Sequence, residues 1–475
     1  MQNNKIISSL FYKFTEKVLV KFIGFIIGVV LARLLDPDIF GVVAIITATV
    51  SLAQVFVDGG LNTALVQNKN VSQEDYSTVF YITFSLAAVL YSALFLATPA
   101  ITHYYHIENY TAQFRVLTIT LLFYAINSIQ SAQLQRNMSF QKMLICQLIT
   151  TIISGGLGVA FAYAGLGIWA LIIYYLSHAL LTCITYSFAL RWYPRLVFSV
   201  ARAKVLFNYG YKILLSSILC SLFANLRTFV IGRLYTTSDL AVYSRGDQVP
   251  SIIATSIDNS FTSVMLPAFS REQDDFSKIK QLVRKTISMD SFIIFPAMIG
   301  LATVAENMVL VLYTQKWISA APFVQTLSLA NITVAIFPIC LSAIKAIGRS
   351  DVHLRLEIIR RCVMLGILFA SLSFHSLIAI AIGWLISTII DVFIIMIPVK
   401  KLFGYSLAEL FYDIWKQLFF SLIMAICVLA IGRLPLSPLP LLILQILGGV
   451  IVYLGASLLF MPQILKTAVS LIRKK

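Results

Sequence analysis

The side chains of this 475-residue chain that could do chemistry are few, and most lie inside or at the edges of long apolar runs. The basic ones are Arg33, Arg227, Arg233 and Arg245, with Lys21 and Lys345 nearer the ends of their runs; the acidic ones are Asp58, Asp247, Asp258 and Asp391. A guanidinium stays charged at any working pH and can offer two parallel N–H donors to a phosphate or carboxylate. A carboxylate in such a setting can carry a proton, hold Na⁺ or neutralise a nearby arginine. Either ion costs at least about 2.5–3.5 kcal/mol at the centre of a membrane helix, so its presence asks for a functional or a pairing reason. Arg227 lies roughly 11 Å past the midpoint of its run and Arg245 about 10 Å into its own, at 1.5 Å rise per residue.

Other chemistry has no visible carrier. The chain contains no GxxxxGK[ST] phosphate loop, no HExxH and no GxSxG. His103 and His106 in "THYYHIEN" read either as metal ligands or as a wet outer loop. The six cysteines all fall in apolar stretches, far apart and without CxxC spacing, which argues against disulfides and zinc. No cofactor or metal is expected.

The elements that position these residues follow from composition. The chain is 59% hydrophobic and only 12% charged, against roughly 45–50% apolar for a soluble domain. About 20 mainly apolar residues cross the hydrocarbon core as a helix, because every backbone polar group must be satisfied within the segment. The runs predict an all-α membrane protein with about fourteen spans, near 15–35, 39–65, 77–101, 113–135, 142–164, 168–190, 205–234, 238–268, 286–312, 318–347, 352–373, 375–399, 413–432 and 439–460. An outer-membrane barrel would instead alternate polar and apolar residues in segments of about 10. No small-residue cleavage site follows the first apolar run, so that span is expected to be retained.

The formal charge of +16 does not point to nucleic acid, because lysine and arginine concentrate in alternate loops. That bias predicts both termini in the cytoplasm. Lys13, Lys17 and Lys21 recur every four residues, either to draw in an anionic head group or simply to obey the positive-inside rule. The connections are too short for a folded extramembrane domain, so no soluble catalytic module is expected and the chain does not read as an enzyme.

Setting residue n against n+200 pairs Arg33 with Arg233, Leu34 with Leu234, Val42 with Val242 and Asp58 with Asp258. Six spans separate the matched pairs, as parallel repeats related by a pseudo-two-fold axis along the membrane normal require. The expected organisation is an N-lobe over 1–200, a C-lobe over 201–402, each of six helices, and two more helices with a basic tail over 403–475. Arg33 and Arg233 either snorkel to the outer interface or form an outer gate with Asp36 or Asp239. Arg227 either meets substrate or makes an ion pair within its lobe; Arg245, with Asp247 and Asp239 near it, either meets substrate or belongs to a helix-supporting polar cluster.

The run Leu31 to Phe80, with "ARLLDPDIFG", "VDGGLNTALVQ" and "ED" before the third span, resembles the N-terminal signature of bacterial polysaccharide flippases of the Wzx, WzxC and TuaB type. These belong to the multidrug, oligosaccharidyl-lipid and polysaccharide (MOP) exporter superfamily. "DLAVYSRGDQVPSII" and "VMLPAFSREQDD" are similar to a second family region, although Ala241 and Val242 stand where the family commonly has Gly-Tyr. The resemblance implies a flippase that moves undecaprenyl-pyrophosphate-linked oligosaccharide across the bacterial inner membrane by alternating access, for capsule, O-antigen, teichuronic acid or exopolysaccharide assembly. The implied partners are that lipid-linked glycan, membrane lipid, a coupling H⁺ or Na⁺, and a polysaccharide polymerase complex. Under that reading Arg227, Arg245, Arg33, Arg233, Lys21 and Lys345 meet the anionic head, while Asp58, Asp258, Asp391 and Asp247 couple an ion or gate the path. Three rivals remain: a cation or drug antiporter of the same superfamily, a lipid II flippase, and a membrane polymerase or ligase.

Overall fold

The computed structural model describes residues 2–68 and 71–462; the side chains of 2–11, 13, 14, 17, 205, 208, 209, 212 and 263 lie outside the described part, and with them the Lys13 and Lys17 face and the basic tail beyond 462. Among the described residues every regular element is helical, and eleven helices are long and apolar enough to cross a membrane. This is an all-α membrane protein; fourteen spans are consistent with the helices that follow.

The chain divides into two compact units, 1–241 and 242–475. Unit 1 holds α1 (Gln2–Leu34), α2 (Pro37–Asp58), α3 (Leu61–Gln67), α4 (Gln73–Tyr104), α5 (Thr111–Thr118), α6 (Thr120–Arg136), α7 (Phe140–Tyr163), α8 (Ile168–Leu190) and α9 (Val200–Leu234). α10 (Thr237–Arg271) begins in unit 1 and continues into unit 2. Unit 2 goes on with α11 (Phe276–Thr303), α12 (Ala305–Tyr313), α13 (Ala321–Asn331), α14 (Phe337–Ala346), α15 (Ser350–Leu372), α16 (Leu377–Phe403), α17 (Leu407–Ile431) and α18 (Pro438–Phe460).

Several ends have a readable local cause. Pro37 occupies the first turn of α2, where its missing N–H costs nothing. Ser72 and Asp75 close a capping box on α4, as Ser406 and Glu409 do on α17. Asp275 caps α11 by accepting from the Ser277 and Lys278 amides. The matched segments end and restart at the same offset: α1 stops at Leu34 and α9 at Leu234, then α2 starts at Pro37 and α10 at Thr237.

Other runs differ from the sequence reading. The run expected over 39–65 breaks between α2 and α3, because Gly59 and Gly60 both take left-handed backbone, φ 54° and 68°. At the matched place α10 has Asn259 and Ser260 and continues unbroken. The fourth run splits at Ile119 and the ninth at Val304. The tenth becomes α13 and α14 joined by a 3₁₀ turn at Ile332–Ala335, with Pro338 in the first turn of α14. α11 starts ten residues before the expected 286, its Asp275 cap lying well outside the apolar run.

Inside unit 1, α7 packs on α8 and α1, α6 on α8 and α4, and α9 on α2. Inside unit 2, α11 packs on α17 and α13, α13 on α16, and α17 on α18. Phe269, Val283, Ile287, Cys340, Ile395 and Tyr405 belong to one fully buried apolar cluster of unit 2.

Candidate functional site

A cavity of about 740 Å³ lies within unit 1, bounded by residues of α2, α3, α5, α6, α7 and α8. That volume is in the range of small-ligand sites, roughly 300–1,000 Å³. Each helix contributes a polar stripe at helical spacing. α6 presents Tyr124, Asn127, Ser128, Ser131 and Gln135, and α8 presents Tyr175, His178, Thr182 and Tyr186. From α2 come Thr47, Ser51, Gln54 and Asp58; Asn62 of α3 follows the glycine break.

The Gly59–Gly60 turn keeps Asp58 and Asn62 together: Asn62 Nδ2 donates to Asp58 Oδ1 at 3.0 Å. Ser128 Oγ donates to Asn62 Oδ1 at 3.4 Å, tying α6 to that pair. The Tyr124 and Ser128 hydroxyls also hydrogen-bond Asp58. Asn127 Nδ2 donates to the Ala179 carbonyl at 2.9 Å and Gln147 Nε2 to Tyr186 Oη at 2.8 Å. Asn225 of α9 reaches the wall through Ser51 Oγ at 3.3 Å. The polar part of the lining is therefore amide and hydroxyl with one carboxylate and one imidazole, set among aromatic rings and the apolar Val50, Val66, Leu117, Ala132 and Ala179, and the lining contains no lysine or arginine. Apart from Asp58, such groups offer donors and acceptors in many directions without charge. It suits a neutral, hydroxyl-rich solute.

Of the residues singled out from sequence, Asp58 alone lines this cavity. Arg227 is half-buried on α9, two residues from Asn225 and so on nearly the opposite face of that helix. Arg233 packs over the Tyr104 ring, 4.7 Å from its centroid, with Nη1 2.8 Å from His106 Nε2. Asp239, which with Asp36 is an expected partner of Arg33 and Arg233 in an outer gate, accepts from the Thr236 amide and hydroxyl at the start of α10. Asp38 accepts from Thr237 Oγ1 at 3.1 Å. Arg33, Lys21 and Lys345 are exposed.

In unit 2, Arg245 donates to Gln248 Oε1 and lies 5.7 Å and 5.8 Å from the ring centroids of the fully buried Tyr313 and Trp317. Asp247 is half-buried beside that group on α10. Asp391 is 5% exposed and accepts from Arg360 Nε at 2.7 Å, the arrangement of a structural ion pair. Glu357 adds 3.7 Å and 3.6 Å contacts to Arg360 and Arg361. Asp258 is half-buried, its Oδ1 3.3 Å from Thr262 Oγ1. No group of three or more metal-ligating side chains occurs among the described residues.

Sequence reasoning by charge passed over Asn62, Asn127, Gln147, His178 and the α6 hydroxyls. The available signal was polar residues recurring at three- and four-residue steps inside otherwise apolar runs.

The family model described as "Polysaccharide biosynthesis protein" matches residues 30–322. The chain is 24% identical to the lipopolysaccharide biosynthesis protein WzxC of Escherichia coli, over 90% of this chain and 88% of that one. It is 25% identical to the teichuronic acid biosynthesis protein TuaB of Bacillus subtilis, over 63% of this chain and 62% of that one. In fold it is similar to a structure of the lipid II flippase MurJ in an inward closed conformation, with TM-score 0.78 and 15% identity, covering 95% of this chain and 99% of that chain.

Proposed function

The chain belongs to the polysaccharide biosynthesis protein family, and from that premise we propose that it is a flippase for a lipid-linked oligosaccharide in the bacterial inner membrane. The observation that carries the reading is the hydroxyl- and amide-lined cavity of about 740 Å³ among apolar helices. A glycan needs hydrogen-bonding partners where the bilayer offers none, and an unpaired buried polar group costs several kcal/mol. The lipid moiety has no such need and stays in hydrocarbon. An undecaprenyl pyrophosphate carrier adds a diphosphate, for which Arg227 and Arg245 remain the candidate partners within the spans, with Arg33, Arg233, Lys21 and Lys345 nearer the ends. Transport proceeds by alternating access, with both termini cytoplasmic, coupling to H⁺ or Na⁺, and delivery to a polymerase complex.

A drug or cation antiporter calls for an acidic cavity, whereas here Asp58 is the lone carboxylate in the lining, held by Asn62. The lipid II alternative uses the same physics and is separated by substrate. The deciding experiment measures flipping of a fluorescent undecaprenyl-pyrophosphate oligosaccharide and of fluorescent lipid II in proteoliposomes of the purified full chain. Export of the oligosaccharide, reduced by Asn62→Ala and His178→Ala, supports the reading. Movement of lipid II alone, or uptake of a fluorescent organic cation by the same proteoliposomes without movement of either lipid, overturns it.

A further inference from the structure

Between the end of α8 at Leu190 and the start of α9 at Val200 the chain takes no regular structure. It is nevertheless strapped to the first turns of α4. Trp192 Nε1 donates to Gln73 Oε1 at 2.9 Å, and Gln73 Nε2 donates to the Tyr193 carbonyl at 3.2 Å. The Arg195 amide donates to Ser77 Oγ at 3.0 Å and the Ser199 amide to Thr78 Oγ1 at 3.2 Å, both side chains being fully buried. Trp192 itself is buried, edge-on to the Tyr76 and Phe80 rings.

With these backbone groups tied to α4, the strap leaves apolar side chains uncovered: Tyr193 is 72% exposed, Leu196 95% and Phe198 53%. An open groove of about 750 Å³ runs between strap and helix, bounded by Tyr81, Leu86 and Val89 of α4 and by Leu196, Val197 and Phe198. Ser85 and the Tyr81 hydroxyl are its only polar side-chain groups. The groove is continuous with a lipid-facing surface, because α4 goes on as a span whose most apolar stretch is only 17% buried. An exposed apolar patch of this kind marks a membrane or protein contact.

Charge selects the contact. From Leu190 to Leu206 the sequence has Arg191, Arg195, Arg202 and Lys204 and no acidic residue. Lys142 of α7 joins them by donating to the Ala189 carbonyl at 3.2 Å. On α4, Asp75 is buried and lies 3.5 Å from Arg202 Nε, which leaves Glu74 as the exposed acid beside the strap. Apolar side chains set among a surplus of basic ones fit the boundary between acyl chains and anionic head groups.

We propose that the strap and its groove form a binding site for an anionic phospholipid, an acyl chain lying along α4 under Leu196 and Phe198 and the head group among the arginines of the strap. The site belongs to unit 1 and is separate from the polar cavity, so it holds a resident lipid rather than the transported solute.

The test has no transport readout, and its failure leaves the flippase reading untouched. The purified full chain is placed in nanodiscs with a trace of phosphatidylglycerol or phosphatidylcholine carrying a photoreactive diazirine on the acyl chain, and labelled peptides are mapped by mass. Phosphatidylglycerol should label residues 81–89 and 196–198 about fivefold more than phosphatidylcholine does, the preference conferred by one basic residue near the surface. Labelling of the exposed Leu447 and Ile451 of α18 should be equal for the two lipids. In Arg191→Gln/Arg195→Gln the preference should fall to near parity with the thermal midpoint unchanged, since both side chains are exposed. The wild type at 1 M salt, where the screening length is about 3 Å, should behave the same way. Equal labelling by both lipids in the wild type would reduce the groove to ordinary boundary lipid, and no label from either would place the strap in water or beneath another protein. Displacement of the label by undecaprenyl pyrophosphate more readily than by phosphatidylglycerol would give the groove to the carrier lipid. Each of these results overturns the proposal, as does a preference that survives the double replacement.

Discussion

Gly41 of α2 faces the Thr237 backbone so closely that a Cβ at Gly41 would fall inside the Thr237 carbonyl. The contact explains the last residue of "LDPDIFG": only a residue without a side chain lets the first turn of α10 lie against α2. Nearby, Gly232 admits the Ile45 side chain, which a Cβ would meet at 3.1 Å. Asp38 and Thr237, 3.1 Å apart, hold the same junction by a hydrogen bond. Gly41→Val should cost about 1–3 kcal/mol as overpacking, read as a lowered thermal midpoint in detergent. In a background lacking the native cysteines, the pair Asp38→Cys and Thr237→Cys should cross-link readily, and adding Gly41→Val should lower the yield. Unchanged cross-linking would mean that the junction does not need the glycine.

The Arg360–Asp391 pair makes a different prediction. Asp391 is nearly fully buried, and the Arg360 guanidinium carbon lies 4.4 Å from the Phe337 ring centroid. Removing one partner strands the other, so Arg360→Leu or Asp391→Leu alone should destabilise by about 3–5 kcal/mol, while the double replacement recovers most of the loss. Thermal denaturation of the three variants decides between this structural role and ion coupling. An Asp391→Leu protein as stable as wild type would favour the ion-coupling role for Asp391.

Asp275 supplies a pH dependence outside the spans. The Ser277 side chain, then the Lys278 amide, hold its carboxylate below the ordinary value of 3.8. A depressed native value means that the cap stabilises α11 above that ordinary value and is lost as pH falls through the native one. Hydrogen exchange at the Ser277 and Lys278 amides should therefore be slow at neutral pH once corrected for intrinsic rates. It should speed up under strong acid, and Asp275→Ala should already be fast at neutral pH. Equal protection in wild type and Asp275→Ala would remove the cap.

The helices could be read from sequence because apolar runs near 20 residues admit few alternatives in hydrocarbon, and Gly59–Gly60 even advertised the break that the expected 39–65 run ignored. The splits at Ile119 and Val304 carry no such mark, since neither break has a glycine or proline at it. The site was harder to read. A search by charge finds Asp58 but passes over the amides and hydroxyls of α6 and α8, which are cheap enough to hide in an apolar run.

The cavity leads to the most discriminating substitution. Ser131 lines it from α6, and its hydroxyl accepts from Gln135 Nε2 at 3.0 Å. A tryptophan there projects into space that already exists, so Ser131→Trp should fold while filling much of the volume. Leu96, 78% exposed on α4, provides the matched control, because Leu96→Trp adds similar bulk toward lipid. Asn62→Ala removes a hydrogen bond of about 1–3 kcal/mol to a bound solute and to Asp58, which corresponds to roughly a 5- to 150-fold weaker interaction. The expected order of glycan flipping is wild type equal to Leu96→Trp, then Asn62→Ala, then Ser131→Trp near background, with thermal midpoints of the two tryptophan variants close to wild type. If Ser131→Trp flips the oligosaccharide at the wild-type rate, the glycan does not pass through unit 1, and the arginines would have to guide it along a different route.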